Sequence, residues 1–181
     1  MRWTIAILTV PERRESFRQL MNTLEAQVGD RDIEILVADQ SGGVGEKRQW
    51  CLDNAKGEFF NFIDDDDMIS GAYVDLIYPL LDGSADYVGF QLQFYWDGEP
   101  WLPTYHSLRY SEWYSDNEGH YRNVSHLNPI RTEIARQGCF TNGYGEDKRW
   151  ADTVHPKTEH YVDQILYFYY FSPSGSLTYG R

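Results

Sequence analysis

Residues Gly57 to Ser70 read GEFFNFIDDDDMIS, an apolar run followed at once by four carboxylates, Asp64, Asp65, Asp66 and Asp67. The segment EFFNFI has the length and composition of a buried strand. Four adjacent anions repel one another, and where water is partly excluded the repulsion drives some of them to take up protons. The stretch therefore reads as a buried strand whose end needs a positive partner.

Working outward, WTIAILTV (Trp3 to Val10) and DIEILVA (Asp32 to Ala38) are two further short, branched, apolar runs that read as strands. Between them ERRESFRQLMNTLEAQ reads as a helix with Phe17, Leu20, Met21 and Leu24 on one face. GEKRQWCLDNAKGE reads as a second helix, stopping near Gly57. Three apolar strands separated by helices predict parallel β-α-β units and an α/β domain with a mostly parallel central sheet. In such open sheets ligands sit beyond the carboxyl ends of the strands. That rule places Thr9-Val10-Pro11, Asp39-Gln40-Ser41 and the aspartate run along one edge.

Downstream, ISGAYVDLIYPLL predicts a helix, ADYVGFQLQFYW a strand, and residues 97–125 an irregular or hairpin region rich in aromatics. NPIRTEIARQG predicts a short helix starting at Asn128-Pro129 and ending before Gly138. Another helix carries Glu146, Asp147 and Trp150, and YVDQILYFYYF near the end of the sequence reads as a strand. The 181 residues fit one domain of ordinary size, with no repeat or linker.

The formal charge is −12, so the long-range field repels nucleic-acid phosphates and anionic membranes. A nucleic-acid partner is therefore not expected. No run approaches the roughly 20 apolar residues that span a bilayer, and the N-terminus lacks a small-residue cleavage site, which together predict a cytoplasmic protein. Cys51 and Cys139 match no zinc spacing and read as two buried, reduced thiols.

In an extended segment Asp64 and Asp66 point the same way, and two convergent carboxylates suit a hard divalent cation such as Mg2+ or Mn2+, with room for substrate phosphates. The alternative is a solvated turn in which Asp67 caps the next helix. The alternating ligands, central glycine and closing glutamate of an EF-hand calcium loop are absent.

Four pieces in order, ILTVPERRESFRQLMNTLEAQ, EILVADQSGG, GEKRQWCLDNAKGEFFNFIDDDD and GYGEDKRWAD, resemble the family 2 nucleotide-sugar glycosyltransferases, which have the GT-A fold. The resemblance covers roughly residues 3–171 and is nearest to short bacterial and phage-encoded members, a minimal catalytic core. It implies inverting transfer of a sugar from a nucleoside diphosphate donor, usually a UDP-sugar, to an acceptor hydroxyl. It makes Asp64-Asp65-Asp66 the DxD motif, with Asp64 near ribose and metal and Asp66 the main ligand of Mn2+ or Mg2+. Thr9, Val10, Pro11 and Arg13 match the first nucleotide-binding loop, Asp39 the base contact, and Lys47 and Arg48 the basic residues facing the donor. Glu146-Asp147 matches the xED motif, whose aspartate is the catalytic base. The division it implies is a donor half over about 1–93 and an acceptor half over about 94–181.

Two departures stand out: Gln49 follows Arg48 where many relatives have asparagine, and Ser172 falls where many metal-dependent members have a histidine. Among nine aromatics between Phe94 and Tyr121, Trp96, Trp101 and Trp113 are the candidate acceptor contacts, the alternative being a hairpin core. Other classes remain open. A nucleotidyltransferase usually has a glycine-rich loop after its first strand, which TVPERRE lacks. A glycoside hydrolase would use two carboxylates across the scissile bond and act without nucleotide or metal. A degenerate sugar-nucleotide binder would keep the fold and lose the reaction.

Overall fold

Alternation along the first strands decides which helix covers which side. The computed structural model describes residues 1–172, and its first three strands are β1 (Trp3–Leu8), β2 (Ile33–Ala38) and β3 (Phe59–Asp64). On β1 and β3 the odd-numbered Trp3, Ile5, Ile7, Phe59 and Ile63 enter one core with Leu20 and Leu24. Those two leucines belong to α1 (Arg14–Val28), where Phe17 and Met21 pack partly buried beside them, as the helical spacing requires. The even-numbered Ala6, Phe60 and Phe62 enter a second core with Cys51 and Leu52 of α2 (Val44–Asn54). Asp64 shares the parity of Phe60 and Phe62, so the pleat carries its carboxylate to the α2 side.

β1 pairs in parallel with β2 and with β3 over its whole length, and Leu8 faces both Ala38 and Asp64. The carboxyl ends of the three strands are therefore level, and Thr9, Asp39 and Asp65 leave them side by side. The chain next makes β4 (Met68–Ile69), the single helical turn α3 (Tyr73–Ile77) and the long β5 (Tyr87–Trp96). The helix expected over 69–81 is thus cut short. Met68 and Ile69 are drawn into the sheet, and Tyr78-Pro79-Leu80 tightens into a 3-10 turn.

β5 turns through Asp97 and Gly98, both with positive φ, into antiparallel β6 (Glu99–His106), so residues 97–125 hold the expected hairpin. β7 (Tyr114–Ser115) and β8 (His120–Arg122) finish that side of the sheet. The segment expected to be helical from Asn128 stays extended through β9 (Ile130–Arg131), and α4 begins only at Thr132, running to Ala135. The sheet claims that backbone: Phe62 N–H donates to His126 O, and Val88 N–H to Pro129 O. Asn128 caps nothing. It is buried, with Nδ2 donating to Val88 O, and Pro129 itself favours an extended residue before it. After α5 (Glu146–Ala151), β10 (Glu159–Phe171) runs parallel to β5 and antiparallel to β4.

The result is a single α/β domain around an open, mixed sheet in the order β2-β1-β3-β9-β5-β6-β8-β7, with β10 paired to β5 and β4. The expected parallel pairing holds for β1 with β2 and β3, β5 with β10 and β6 with β8, whereas β4, β6, β7 and β9 add antiparallel pairings. Both cysteines are free thiols; Cys51 is buried as expected, whereas Cys139, in the loop after α4, is exposed. No described helix is long and apolar enough to cross a membrane.

Candidate functional site

The aspartate run opens at the end of β3, and the chain turns there, with Asp67 N–H donating to Asp64 O. The turn ends the strand alternation, so Asp64 and Asp66 do not share one partner as an extended segment would require. Asp64 turns to α2, where Arg48 Nη2 lies 3.1 Å from its Oδ1. Asp65 and Asp66 turn to Arg13, whose two terminal nitrogens meet them at 2.9 and 2.7 Å. Asp67 points away from solvent, accepting bonds from Tyr167 Oη and Tyr170 N at 2.8 Å each, and it caps no helix.

These placements separate the charges. Burial alone would raise Asp64, but Arg48, with His126 and Arg13, holds it well below the usual carboxylate range. Burial and the neighbouring Asp64, against Arg13, push Asp66 up to about 6. Asp67 is raised well above its ordinary value by burial and by Asp64 and Asp66, and its carboxyl survives there on its two tyrosine contacts. Burial pulls the Arg13 guanidinium down, but its bond to Asp65 and the charges of Asp66, Asp65 and Asp64 outweigh that and raise it.

Lys47 and Arg48, each 6% exposed, are not a solvated helix face. Lys47 Nζ donates to Thr9 O at 2.9 Å, which ties the loop after β1 to α2. Arg48 lies over the ring of Phe62 and reaches Glu146 Oε1 with Nε at 3.3 Å. α5 is brought this close because Gly45 has no side chain: a Cβ there would stand 2.3 Å from the Thr141 carbonyl carbon. Glu46 N–H also donates to Asn142 Oδ1. Glu146 is thus buried against Arg48, while Asp147, one residue on, keeps 28% of its side chain exposed.

His126 joins the two acidic motifs. Its Nε2 is 3.6 Å from Asp64 Oδ2 and its Nδ1 is 3.7 Å from Asp147 Oδ2, with the ring against Phe62. No spacing pattern marks this residue, since it lies far in sequence from both carboxylates; only the β3 contact of its backbone brings it there.

Among the described residues, every buried side-chain polar atom without a hydrogen bond belongs to this place: Thr9 Oγ1, Arg48 Nε and Nη1, Asp65 Oδ2, and both ring nitrogens of His126. Buried polar groups are normally satisfied, so a cluster of unsatisfied ones marks a place where water, an ion or a polar ligand supplies the missing partners. A cavity of about 390 Å3 adjoins it, lined by Arg13, Asp66, Tyr169 and Ser172 among others. Ser172 donates to Asp97 Oδ1, and the remainder of the YYFSPSGS stretch, from residue 173, lies outside the described residues.

No group of three or more His, Cys, Asp or Glu side chains forms a metal cage among the described residues. Mg2+ and Mn2+ do not need one, because one or two carboxylates plus substrate phosphates suffice. Asp66, raised by burial and by its acidic neighbours and bordering the cavity, together with the hard oxygens of Asp64 and Asp65, fits such an ion.

Of the other sequence candidates, Val10 and Pro11 form the 3-10 turn that delivers Arg13, and Asp39 stands exposed just past β2. Trp96 and Trp101 lie on the β5–β6 hairpin, 43% and 57% exposed, open enough to meet a ligand. Trp113 is half-buried, donates to Val124 O, and lies beneath Arg122 and Lys148, the neighbour of Asp147.

No family model matches the sequence, and no curated protein sequence does either. Solved structures do match. S. aureus TarS 1–349 in complex with UDP-GlcNAc has a TM-score of 0.68 at 16% identity, over 94% of this chain and 59% of that one. TarS 1–349 in complex with UDP has a TM-score of 0.67 at 17% identity, over 96% and 61%. The bifunctional IspDF from Campylobacter jejuni is more distant, with a TM-score of 0.53 at 10% identity, over 91% and 50%. The chain spans about 60% of the TarS 1–349 structures. The likeness shows the fold, a GT-A-like Rossmann arrangement.

Proposed function

We propose that this protein is an inverting, metal-dependent glycosyltransferase that moves a sugar from a nucleoside diphosphate donor, a UDP-sugar, to an acceptor hydroxyl. The observation that carries the reading is that, among the described residues, the buried side-chain polar atoms without a hydrogen bond all belong to Thr9, Arg48, Asp65 and His126, at the carboxyl edge of β1 and β3. A diphosphate is the ligand that unsatisfied guanidinium nitrogens recognise. TarS, with the same fold, is known in complex with UDP-GlcNAc and UDP, which supports a uridine nucleotide.

In this reading residues to about 93 bind donor and those from about 94 serve the acceptor. Thr9, Val10, Pro11 and Arg13 border the nucleotide, and Asp39 meets the base. Lys47 and Arg48 face the diphosphate, and Asp64 and Asp65 complete the donor side. Asp66 and Asp64 would hold Mn2+ or Mg2+, which supplies Lewis-acid stabilisation of the departing diphosphate. Asp147, the more exposed member of its pair, takes the proton of the acceptor hydroxyl as that oxygen attacks the anomeric carbon from the face opposite the leaving group. One displacement inverts the configuration. Glu146 holds Arg48 in place for the donor. Trp96, Trp101 and Trp113 offer aromatic faces to a sugar acceptor.

Calorimetric titration with UDP, UDP-GlcNAc, UDP-glucose and GDP-mannose, each with Mn2+ and with EDTA, tests the reading. The expected result is metal-dependent binding of uridine nucleotides that Asp66→Ala removes. Absence of binding under every condition would overturn it, and binding without release of UDP under any acceptor would identify a degenerate binder.

A further inference from the structure

The base and the DxD motif come from elements 83 residues apart in sequence, and one side chain stands between them. His126 has 7% of its side chain exposed, faces Asp64 with Nε2 and Asp147 with Nδ1, and makes no hydrogen bond with either nitrogen. Phe62 lies against its ring, and its own carbonyl is fixed by Phe62 N–H, so backbone and ring are both tied to β3, the strand that ends in Asp64. Asp147 is held less directly: its neighbour Glu146 is paired with Arg48, while its own carboxylate faces His126 Nδ1. It sits in the first turn of a six-residue helix, beyond an exposed loop over 141–144.

We propose that His126 is a positioning residue that sets the Asp147 carboxylate against the donor side of the site, with β3 as the common reference for both. The inference rests on the glycosyltransferase reading above. A buried imidazole with two unsatisfied nitrogens, each near a different functional carboxylate, is costly to keep as mere packing. A leucine or phenylalanine would fill the space without the desolvation penalty. The contacts at 3.6 and 3.7 Å are too long to be full hydrogen bonds here, and catalytic hydrogen bonds commonly tighten only when substrate is bound.

The two nitrogens can be tested separately, because asparagine places an amide near the Nδ1 position and glutamine near Nε2. The probes are UDP in calorimetry and release of UDP from UDP-GlcNAc, UDP-glucose or UDP-galactose with water as acceptor. His126→Ala is expected to bind UDP within about twofold of the parent and to lower kcat about 100-fold with little change in donor KM, the cost of a misplaced group. His126→Asn, which restores the Asp147 side, is expected to recover most of kcat, and His126→Gln much less. Unchanged kcat in His126→Ala, or equal recovery by Asn and Gln, would overturn the inference while leaving the transferase reading intact. A parent that neither binds UDP nor releases it from any of these donors would overturn the transferase reading and this inference with it. Loss of UDP binding in His126→Ala together with a lower melting temperature would assign His126 a structural role and overturn the positioning one.

Discussion

Arg48 Nη2 stands 3.1 Å from Asp64 Oδ1, and both side chains are largely shut off from water. The same guanidinium faces Glu146, so one cation joins the end of β3 to the start of α5. Removing one partner of a buried pair leaves the other uncompensated, which costs roughly 3–5 kcal/mol. Arg48→Met is therefore expected to lower unfolding stability by about that amount in urea titrations. Arg48→Lys keeps the charge but cannot fork to both carboxylates, and should lose less stability while weakening UDP binding. A stability loss below about 1 kcal/mol in Arg48→Met would show that the pair is a surface ion pair in energetic terms.

Asp147→Asn removes the proton acceptor while preserving shape. UDP affinity should stay within about twofold, and transfer should fall about 100- to 10,000-fold, the usual contribution of a general base. Transfer at the parent rate would mean that another group takes the proton, with Glu146, pinned to Arg48, the adjacent carboxylate.

Tyr167 Oη donates to Asp67 Oδ2 at 2.8 Å and accepts from Asp64 N–H at 3.1 Å. This single hydroxyl links β10 to both ends of the aspartate turn. Tyr167→Phe would orphan two buried groups at little cost in volume, for a loss of about 1–3 kcal/mol. In a chain of this size that corresponds to a fall in melting temperature of roughly 2–4 °C per kcal/mol. An unchanged melting temperature would indicate that the carboxyl finds another donor.

The β-α-β core was legible because each strand is a short apolar run and α1 shows its buried face at helical spacing. The acidic motifs were legible as a group, at the ends of strands and the start of a helix. Local pattern misled where the sheet made a stronger claim on the backbone: Met68–Ile69 pair with β10, and Asn128–Arg131 bond to Val88 and Asp86 instead of starting a helix. Asp67 reads as a cap because its partners, Tyr167 and Tyr170, lie about a hundred residues downstream. His126 was invisible for the same reason. Its role comes from tertiary proximity to two carboxylates, and nothing near it in sequence encodes that.

His106 supplies a pH-dependent stability term away from the carboxylates. Its Nδ1 meets Asn128 Oδ1, and since Asn128 Nδ2 donates to Val88 O, Oδ1 is the acceptor and Nδ1 carries the proton. Burial, against the Asn128 bond and with Arg122 and His126 nearby, lowers the imidazole to about 3. In the unfolded chain it titrates near its ordinary value of about 6.5. Above that value the ring is neutral in both states and adds no pH dependence. As pH falls below it, the unfolded chain binds a proton that the folded protein refuses, so stability is lost progressively towards about 3. Urea unfolding of the parent and of His106→Gln at pH 7.5, 6 and 5 isolates the contribution. The variant starts less stable, and the gap should narrow by about 1.4 kcal/mol for each pH unit below about 6. Parallel curves for the two proteins would show that His106 takes up its proton without unfolding, and would place the acid sensitivity of this fold in its carboxylates instead.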